Sequence, residues 1–282
     1  MSKIAIVTDS TAYLPLDLVE KYEISVAPQV VIWGDKTYED GVDIQPSEFY
    51  ERLKTASVMP STSQATIASF EKIFRRLLEE EHEILAILIS DVLSGTINSA
   101  VQARELFPHA PIEIVDSKSV AMALGFQVLT VAKAVQEGAS MAECVQLAQK
   151  ASQHTGVIFA VDTLEFLHRG GRIGGGKRFL GTALKIKPIL ELKDGRIEPV
   201  EQVRTRKKSL LRLVEILEER VAGKSPVRLA TLHANAYEDA KVILSLANER
   251  LNSVENIFSE VSPAVGTHAG PGTVGLAYMA GM

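Results

Sequence analysis

A hydroxyl-rich turn follows a fully apolar run in the first third of the chain. The run Ile84–Ile89 ends at Ser90, and Ser94-Gly95-Thr96 precedes a helical pattern of apolar residues that extends to Leu106. An apolar run bounded by turn residues predicts a buried strand. Gly95 lets a ligand approach the backbone, the two hydroxyls can donate hydrogen bonds, and a helix N-terminus attracts negative charge. The turn is therefore an anion pocket, or a plain cap in which Ser94 serves the helix backbone.

Two more clusters in the first half carry hydroxyl groups. Asp9-Ser10-Thr11 follows the predicted strand Ile4–Thr8, and Thr62-Ser63-Gln64 is predicted to open a helix with apolar residues of period 3.6. Strand ends and helix starts of a parallel α/β sheet gather at its carboxyl edge. Two neighbouring hydroxyls there suit a small, planar, singly charged group such as a carboxylate. The sequence has no complete Gly-x-x-x-x-Gly-Lys-Ser/Thr loop, since the partial match Gly171–Lys177 is followed by Arg178, and this argues against a polyphosphate.

The second half concentrates positive charge. Residues 167–177 contain five glycines and four basic residues, a composition that indicates a shaped basic loop, and Arg204-Thr205-Arg206-Lys207-Lys208 forms a second basic cluster. From His168 to Arg212 there are 13 Lys/Arg against 4 Asp/Glu, a charge of +9, so the rest of the chain carries −14. This asymmetry favours a basic face for an anionic ligand or an acidic partner.

Familiar catalytic sets do not occur in the sequence. It contains no Cys/His cluster at metal-ligand spacing, no His-Glu-x-x-His and no Gly-x-Ser-x-Gly. Cys144 falls in an apolar helical pattern and is predicted to be a buried structural thiol. His268 lies in Gly266–Thr273, where three glycines and a proline predict a fixed irregular loop. In such a loop the imidazole either points at a ligand or has a purely structural role. We expect no metal site and no autonomous active site.

Length and composition describe an ordinary globular chain. It has 282 residues, of which 46% are hydrophobic, and a net charge of −5. No apolar stretch approaches the roughly 20 residues that span a bilayer, and the N-terminus does not resemble a signal peptide, so we expect a cytoplasmic protein. Strands, among them one from Ser25 to Ile32, alternate with helices over the first 120 residues, and two further helices follow. This pattern predicts a three-layer α/β/α domain with a parallel sheet over residues 1–153. Residues 154–282, with a predicted helix at about 206–221, are predicted to form a two-layer α+β domain with a mixed sheet covered by helices on one side.

The chain resembles the DegV family. The matching segments, in order, are residues 9–15, Thr62-Ser63-Gln64, Leu93-Ser94-Gly95-Thr96, Val115-Asp116-Ser117, residues 163–174, Lys187-Pro188-Ile189-Leu190, Val203-Arg204-Thr205-Arg206 and His268-x-Gly270-Pro271-Gly272. The resemblance implies a fatty acid, such as palmitate, held in a tunnel between the two domains and no other cofactor. It also implies that the protein is not itself an enzyme and can be the carrier subunit of an ATP-dependent fatty acid kinase.

By the same resemblance, Thr62 and Ser94 hold the carboxylate, with Gly95 and His268 in the same site. Arg172 and Arg204 match positions for presentation or partner contact. The ligand is compatible with transient contact with a membrane, without a transmembrane segment. Asp91 departs from the family pattern and places a negative charge near the predicted anion site. Three aromatic residues could line the tunnel or pack in the core: Phe126, Phe159 and Phe166.

Two other functions are compatible with parts of the sequence. The fold also resembles that of dihydroxyacetone kinase subunits, which implies an enzyme acting on a small triose-like substrate through His268. A DNA-binding regulator could use the +9 segment, but no helix-turn-helix accompanies it and the net charge is acidic, so we expect no nucleic-acid partner.

Overall fold

The structure, a computed structural model, describes residues 3–179 and 186–282. Six residues of the basic segment, 180–185, therefore lie outside the described residues. The described strands are β1 Lys3–Asp9, β2 Ser25–Ala27, β3 Val30–Trp33, β4 Lys36–Glu39, β5 Ser61–Ser63, β6 His82–Leu88, β7 Ile112–Asp116, β8 Thr155–Ala160, β9 Lys187–Lys193, β10 Arg196–Val203, β11 Val227–His233, β12 Glu255–Ile257 and β13 Val274–Ala280. The α-helices are α1 Leu16–Lys21, α2 Pro46–Lys54, α3 Ile67–Glu79, α4 Thr96–Glu105, α5 Ala121–Gln136, α6 Met141–Ser152, α7 Glu165–Arg169, α8 Arg206–Val221, α9 Tyr237–Leu251 and α10 Pro263–Ala269.

The first half is built on a parallel sheet of four strands. Their order is β2-β1-β6-β7, and every pair in the sheet is parallel. Helices α3 and α4 pack on one face, and α5 and α6 pack on the other. Because both faces are covered, the central strand β6 is apolar almost throughout and Ile84–Leu88 is fully buried. The predicted α/β/α arrangement is confirmed.

The second half is built on a mixed sheet of six strands. Their order is β10-β9-β8-β13-β11-β12, with only the β11–β12 pair parallel. Helices α8 and α9 cover one face of this sheet, as the sequence predicts. Helix α5 of the first half packs against the other face, at β8, β11 and β13. One apolar core therefore continues between the two large sheets. The domain boundary near residue 153 stays a prediction.

A small antiparallel sheet was not predicted. Its strand order is β4-β3-β5. The single strand predicted from Ser25 to Ile32 was wrong, since Pro28 separates β2 from β3; proline cannot donate to a strand ladder. The prediction that Thr62-Ser63-Gln64 opens a helix was also wrong. Thr62 pairs with Val31 in this sheet, and α3 begins only at Ile67.

The segment around His268 forms a short helix, so the predicted irregular loop was wrong. Pro263 occupies the first turn of α10, a position that needs no N–H donor, and the Ser262 hydroxyl caps the helix. The first half of the chain holds this helix in place. Asp40 Oδ1 accepts a hydrogen bond from the Ala264 amide at 3.0 Å, and the Tyr50 hydroxyl donates to the Val261 carbonyl at 3.0 Å.

Asp40 makes this attachment sensitive to pH. Its side chain is only 1% exposed, and burial raises the pKa of the carboxyl from 3.8 to about 6, although hydrogen bonds from Ser10, Ala264 and Ser262 oppose the rise. A raised pKa means that the folded state favours the protonated form. The contribution of Asp40 to stability is therefore complete below about pH 4 and is lost as pH rises through about 6.

Replacing Asp40 by Asn should remove this pH dependence. Urea unfolding of the wild type and Asp40→Asn at pH 4, 5, 6 and 7 measures it, and taking the difference between the two proteins cancels the titration of the groups they share. Relative to the variant, the wild type should lose about 2.4 kcal/mol between pH 4 and pH 7, since one pKa unit corresponds to about 1.4 kcal/mol and part of the titration lies below pH 4. A difference that does not change with pH would contradict this assignment.

Candidate ligand-binding site

A largely apolar cavity lies between the two large sheets. The space between its lining atoms amounts to about 870 Å³ when the open solvent at its mouth is included. Apolar side chains from both halves line it, including Ile89, Val120, Val157, Phe159, Leu192 and Leu232. Of the three aromatic residues proposed for the tunnel, Phe159 is in this lining, whereas Phe126 and Phe166 are not among the described lining residues. No Asp or Glu belongs to the described lining, so the cavity suits a long apolar ligand without positive charge.

Thr62 and His268 meet across the cavity wall. Thr62 Oγ1, on β5, lies 2.6 Å from His268 Nε2, in the last turn of α10, and both residues line the cavity. The glycine-rich loop makes room for this imidazole. A Cβ atom on residue 170 would overlap Nδ1 of His268, so Gly170 is needed for its close approach rather than for flexibility. This contact brings together two predicted site residues that are 206 positions apart in the sequence.

The imidazole of His268 is neutral at pH 7. Burial and, as the smaller cause, the positive charge of Arg172 together lower its pKa to about 4. Its Nδ1 atom is buried and makes no hydrogen bond to the described residues. A neutral imidazole carries one hydrogen. When that hydrogen is on Nε2, His268 donates to Thr62 and leaves the Thr62 hydroxyl free to donate into the cavity.

Arg172 connects the basic loop to the Ser94 turn. Its Nε donates to the Leu93 carbonyl at 3.0 Å, and one terminal nitrogen donates to the Gly170 carbonyl at 2.7 Å. The side chain also lines the cavity, which places a fixed positive charge beside His268. Arg204 is exposed and is not part of the described lining. The two predicted presentation residues therefore occupy different environments.

Ser94 is a cavity residue rather than a helix cap. Gly95 is at the N-cap position of α4, and the Ser94 hydroxyl lies 2.8 Å from the Thr96 hydroxyl. Ser94 also lines the cavity together with Thr62. The Gln64 side chain packs against Gly95, where an added Cβ would lie 3.3 Å from Gln64 Cδ. The turn at residues 94–96 and the end of β5 are thus neighbours, as the carboxylate hypothesis requires.

Asp91 does not join this site. Its carboxylate is 54% exposed and lies 3.9 Å from Lys118 Nζ. Both residues line a separate polar cleft beside the β9–β10 hairpin. The negative charge that the sequence placed near the anion site thus belongs to the neighbouring cleft, and the cavity itself keeps a lining without described acidic residues.

Sequence reasoning missed Gln29. This residue is 4% exposed, lines the cavity and hydrogen-bonds to Thr96. The available signal was a polar side chain inside the apolar segment that was predicted as one strand from Ser25 to Ile32.

The thiol of Cys144 lies in the core, as the sequence predicts. Cys144 is buried in α6, and burial raises the pKa of its thiol. Among the described residues there is no group of three or more His, Cys, Asp or Glu side chains placed to hold a metal ion. None of the helices in the described ranges is long and apolar enough to cross a membrane.

Comparison with known proteins identifies relatives over nearly the whole chain. A model of the DegV family, described as uncharacterised proteins, matches residues 3–281. A DegV domain-containing protein of Streptomyces coelicolor is 38% identical over 275 residues, which cover 97% of each chain.

Solved structures show the same fold. A DegV family protein from Thermus thermophilus, described for its fatty acid binding, has a TM-score of 0.93 and 32% identity over 99% of both chains. DegV from Bacillus subtilis, described as a fatty acid binding protein, has a TM-score of 0.90 and 32% identity over 99% of this chain and all of that one. The fold is therefore shared with these proteins, and this chain belongs to the DegV family.

Proposed function

We propose that the protein binds one long-chain fatty acid in the cavity between its two large sheets, with the carboxylate at the Thr62 and Ser94 hydroxyls. The observation that carries the proposal is the cavity itself. It combines a long apolar lining with hydroxyl, imidazole and guanidinium groups and with no described acidic residue. The fatty acid binding of structural relatives from Thermus thermophilus and Bacillus subtilis supports the same conclusion.

Burial of the acyl chain supplies most of the affinity in this proposal. A 16-carbon acid has about 14 methylenes, and at about 0.8 kcal/mol each their burial is worth on the order of 10 kcal/mol. A hydrogen bond to a charged group contributes about 1.5–3 kcal/mol. Two such bonds orient the head group, whereas the apolar walls hold the ligand.

The polar residues of the cavity offer hydrogen-bond donors and a positive charge to a carboxylate that is removed from water on binding. An unpaired buried carboxylate is costly, so it needs hydrogen-bond donors or a positive charge. Thr62 and Ser94 offer hydroxyls, and Arg172 supplies a cation on the same cavity wall. Neutral His268 supports Thr62 and adds no negative charge.

An enzyme acting on a small triose-like substrate through His268 fits the cavity less well. Such a substrate has several hydroxyl groups, each of which needs a polar partner on removal from water. Most of the described lining is apolar, and the only hydrogen bond of His268 to a described side chain is to Thr62. We therefore favour a binding protein without autonomous catalysis.

Native mass spectrometry tests the proposed ligand class. Protein purified without delipidation should carry the added mass of one long-chain acid, and delipidated protein should regain it on addition of palmitate or oleate. Hexadecane, which has the tail but no carboxylate, is the matched control ligand. A homogeneous ligand-free mass that neither acid changes would refute the proposal.

A series of fatty acids of increasing length tests whether burial of the acyl chain supplies most of the affinity. Each added methylene from C10 to C16 should tighten binding about fourfold, the equivalent of about 0.8 kcal/mol, until the cavity is full. Fluorescence or calorimetric titration of the delipidated protein measures this slope.

In the same series of acids, the Ser94→Ala variant distinguishes the contribution of the carboxylate contact to affinity from that of the acyl chain. It should weaken every acid by about the same factor, roughly tenfold or more for one hydrogen bond to a charge, and leave the slope per methylene unchanged. A slope that disappears in the variant, or a wild-type slope near zero, would contradict the assignment of the cavity to the acyl chain.

We further propose that the bound acid is presented to a separate ATP-dependent fatty acid kinase. The support is the placement of basic groups: Arg172 joins the head-group region to the basic loop, and Arg204 stands exposed outside the cavity. Exposed cations of this kind can steer and hold an acidic partner surface.

The Arg204→Glu variant tests the partner role. With a bacterial fatty acid kinase catalytic subunit, MgATP and palmitate-loaded protein, the variant should form acyl-phosphate at least about tenfold more slowly, because reversing a charge at an interface typically costs more than 1.4 kcal/mol. Its palmitate affinity should not change. Lys150→Glu, an exposed site on α6 outside the basic segment, is the matched control. Equal rates for the two variants would contradict the assignment of Arg204.

A further inference from the structure

A line of buried polar side chains lies behind Ser94, and the proposed function alone leaves it without a role. The Ser94 hydroxyl is 2.8 Å from the Thr96 hydroxyl. Thr96 Oγ1 accepts a hydrogen bond from Gln29 Nε2 at 2.9 Å, and Gln29 Nε2 also donates to Asp9 Oδ1 at 3.2 Å. Asp9 and Thr96 are fully buried, and Gln29 is 4% exposed. In such a network the direction of each hydrogen bond constrains the next one.

Asp9 fixes the hydrogen-bond direction at the end of this line opposite Ser94. Its Oδ1 accepts from both the amide and the hydroxyl of Thr11, at 3.0 and 2.6 Å, and its Oδ2 accepts from the Ile89 amide at 2.8 Å. With the bond from Gln29, the carboxylate receives four donors and donates none. Because both carboxyl oxygens act only as acceptors in these four contacts, the side-chain amide facing Oδ1 presents its nitrogen. Asp9 therefore sets which way the Gln29 amide points.

Thr96 links the orientation of the Gln29 amide to the hydrogen-bond role of Ser94. The second hydrogen of Gln29 Nε2 goes to Thr96, so Thr96 Oγ1 is an acceptor in that bond. Its own hydrogen can go to the Ser94 hydroxyl at 2.8 Å or to Gln29 Oε1 at 3.3 Å, and the shorter contact favours Ser94. Ser94 then accepts from Thr96. Its single hydrogen remains available to an acceptor in the cavity.

We propose that Asp9 and Gln29, acting through Thr96, are positioning residues that keep Ser94 a hydrogen-bond donor toward the cavity and so set a preference for an ionised carboxylate over a neutral group on the same chain. A fixed donor stabilises a charged acceptor about twice as much as a neutral one. This inference rests on the proposed fatty acid function, since it assigns the recognition of the head group within that site.

The test compares an acid with the alcohol of the same length. Affinities for palmitate and 1-hexadecanol are measured for the wild type, Thr96→Val and Thr96→Ser, and the carboxyl group of bound [1-¹³C]palmitate is titrated by NMR. Thr96→Val removes the hydroxyl that orients Ser94 and should lower the preference for the acid about tenfold, the effect of one lost bond to a charge. The pKa of the bound carboxyl should rise. Thr96→Ser should restore both properties.

Two further variants make the test specific. Gln29→Met keeps the length of the side chain but removes the amide, so it should shift the same two readouts in the same direction as Thr96→Val. Thr273→Val is the matched control. Thr273 is also fully buried and lines the cavity, but its hydroxyl donates to the Ala269 carbonyl and takes no part in the line from Asp9.

The outcomes separate the two proposals. Affinity for 1-hexadecanol reports the integrity of the tail cavity and should stay within about twofold in every variant, because tail burial is unchanged. The positioning role is refuted if Thr96→Val and Gln29→Met keep the wild-type preference and bound carboxyl pKa, or if Thr273→Val shifts them equally. A wild type that binds neither ligand would instead refute the fatty acid function itself.

Discussion

The contact between Thr62 and His268 holds the two halves of the chain together at the polar part of the cavity. Thr62 belongs to the small sheet of the first half, and His268 ends a seven-residue helix of the second half. A helix this short is not stable alone and depends on its attachments. Asp40 and Tyr50 fix its N-terminal side, and Gly170 leaves room for the imidazole at its other end. The relative position of Thr62 and His268 is therefore a property of the assembled fold.

Charged groups lie at two depths near this contact, one in the cavity lining and one behind it. The described lining of the cavity has no acidic residue and includes Arg172. The buried carboxylate of Asp9 lies behind that lining and accepts hydrogen bonds from Thr11, Gln29 and Ile89. Burial raises the pKa of Asp9 above its ordinary value, although these hydrogen bonds oppose the rise. An anion held in this way orders the hydroxyls in front of it without adding unpaired negative charge to the cavity surface.

The sequence was informative where elements are long and their apolar pattern is strong. Helix α8 was predicted from 206 to 221 and is observed as Arg206–Val221, and the parallel strands of the first half were recognised because burial on both faces makes them apolar. Prediction failed for β5 and α10, which carry Thr62 and His268. A three-residue strand of Ser and Thr forms because β3 offers it a partner, and no local pattern contains that information. For α10 a signal existed in Ser262-Pro263, but the glycines that follow favoured a loop.

A crystal structure of the purified chain with palmitate tests the central claim most directly. We expect continuous density for one acyl chain between the two large sheets, with the carboxylate oxygens within hydrogen-bonding distance of the Thr62 and Ser94 hydroxyls, about 2.5–3.0 Å. A ligand with its methyl end at these hydroxyls, or one bound outside the cavity, would contradict the account.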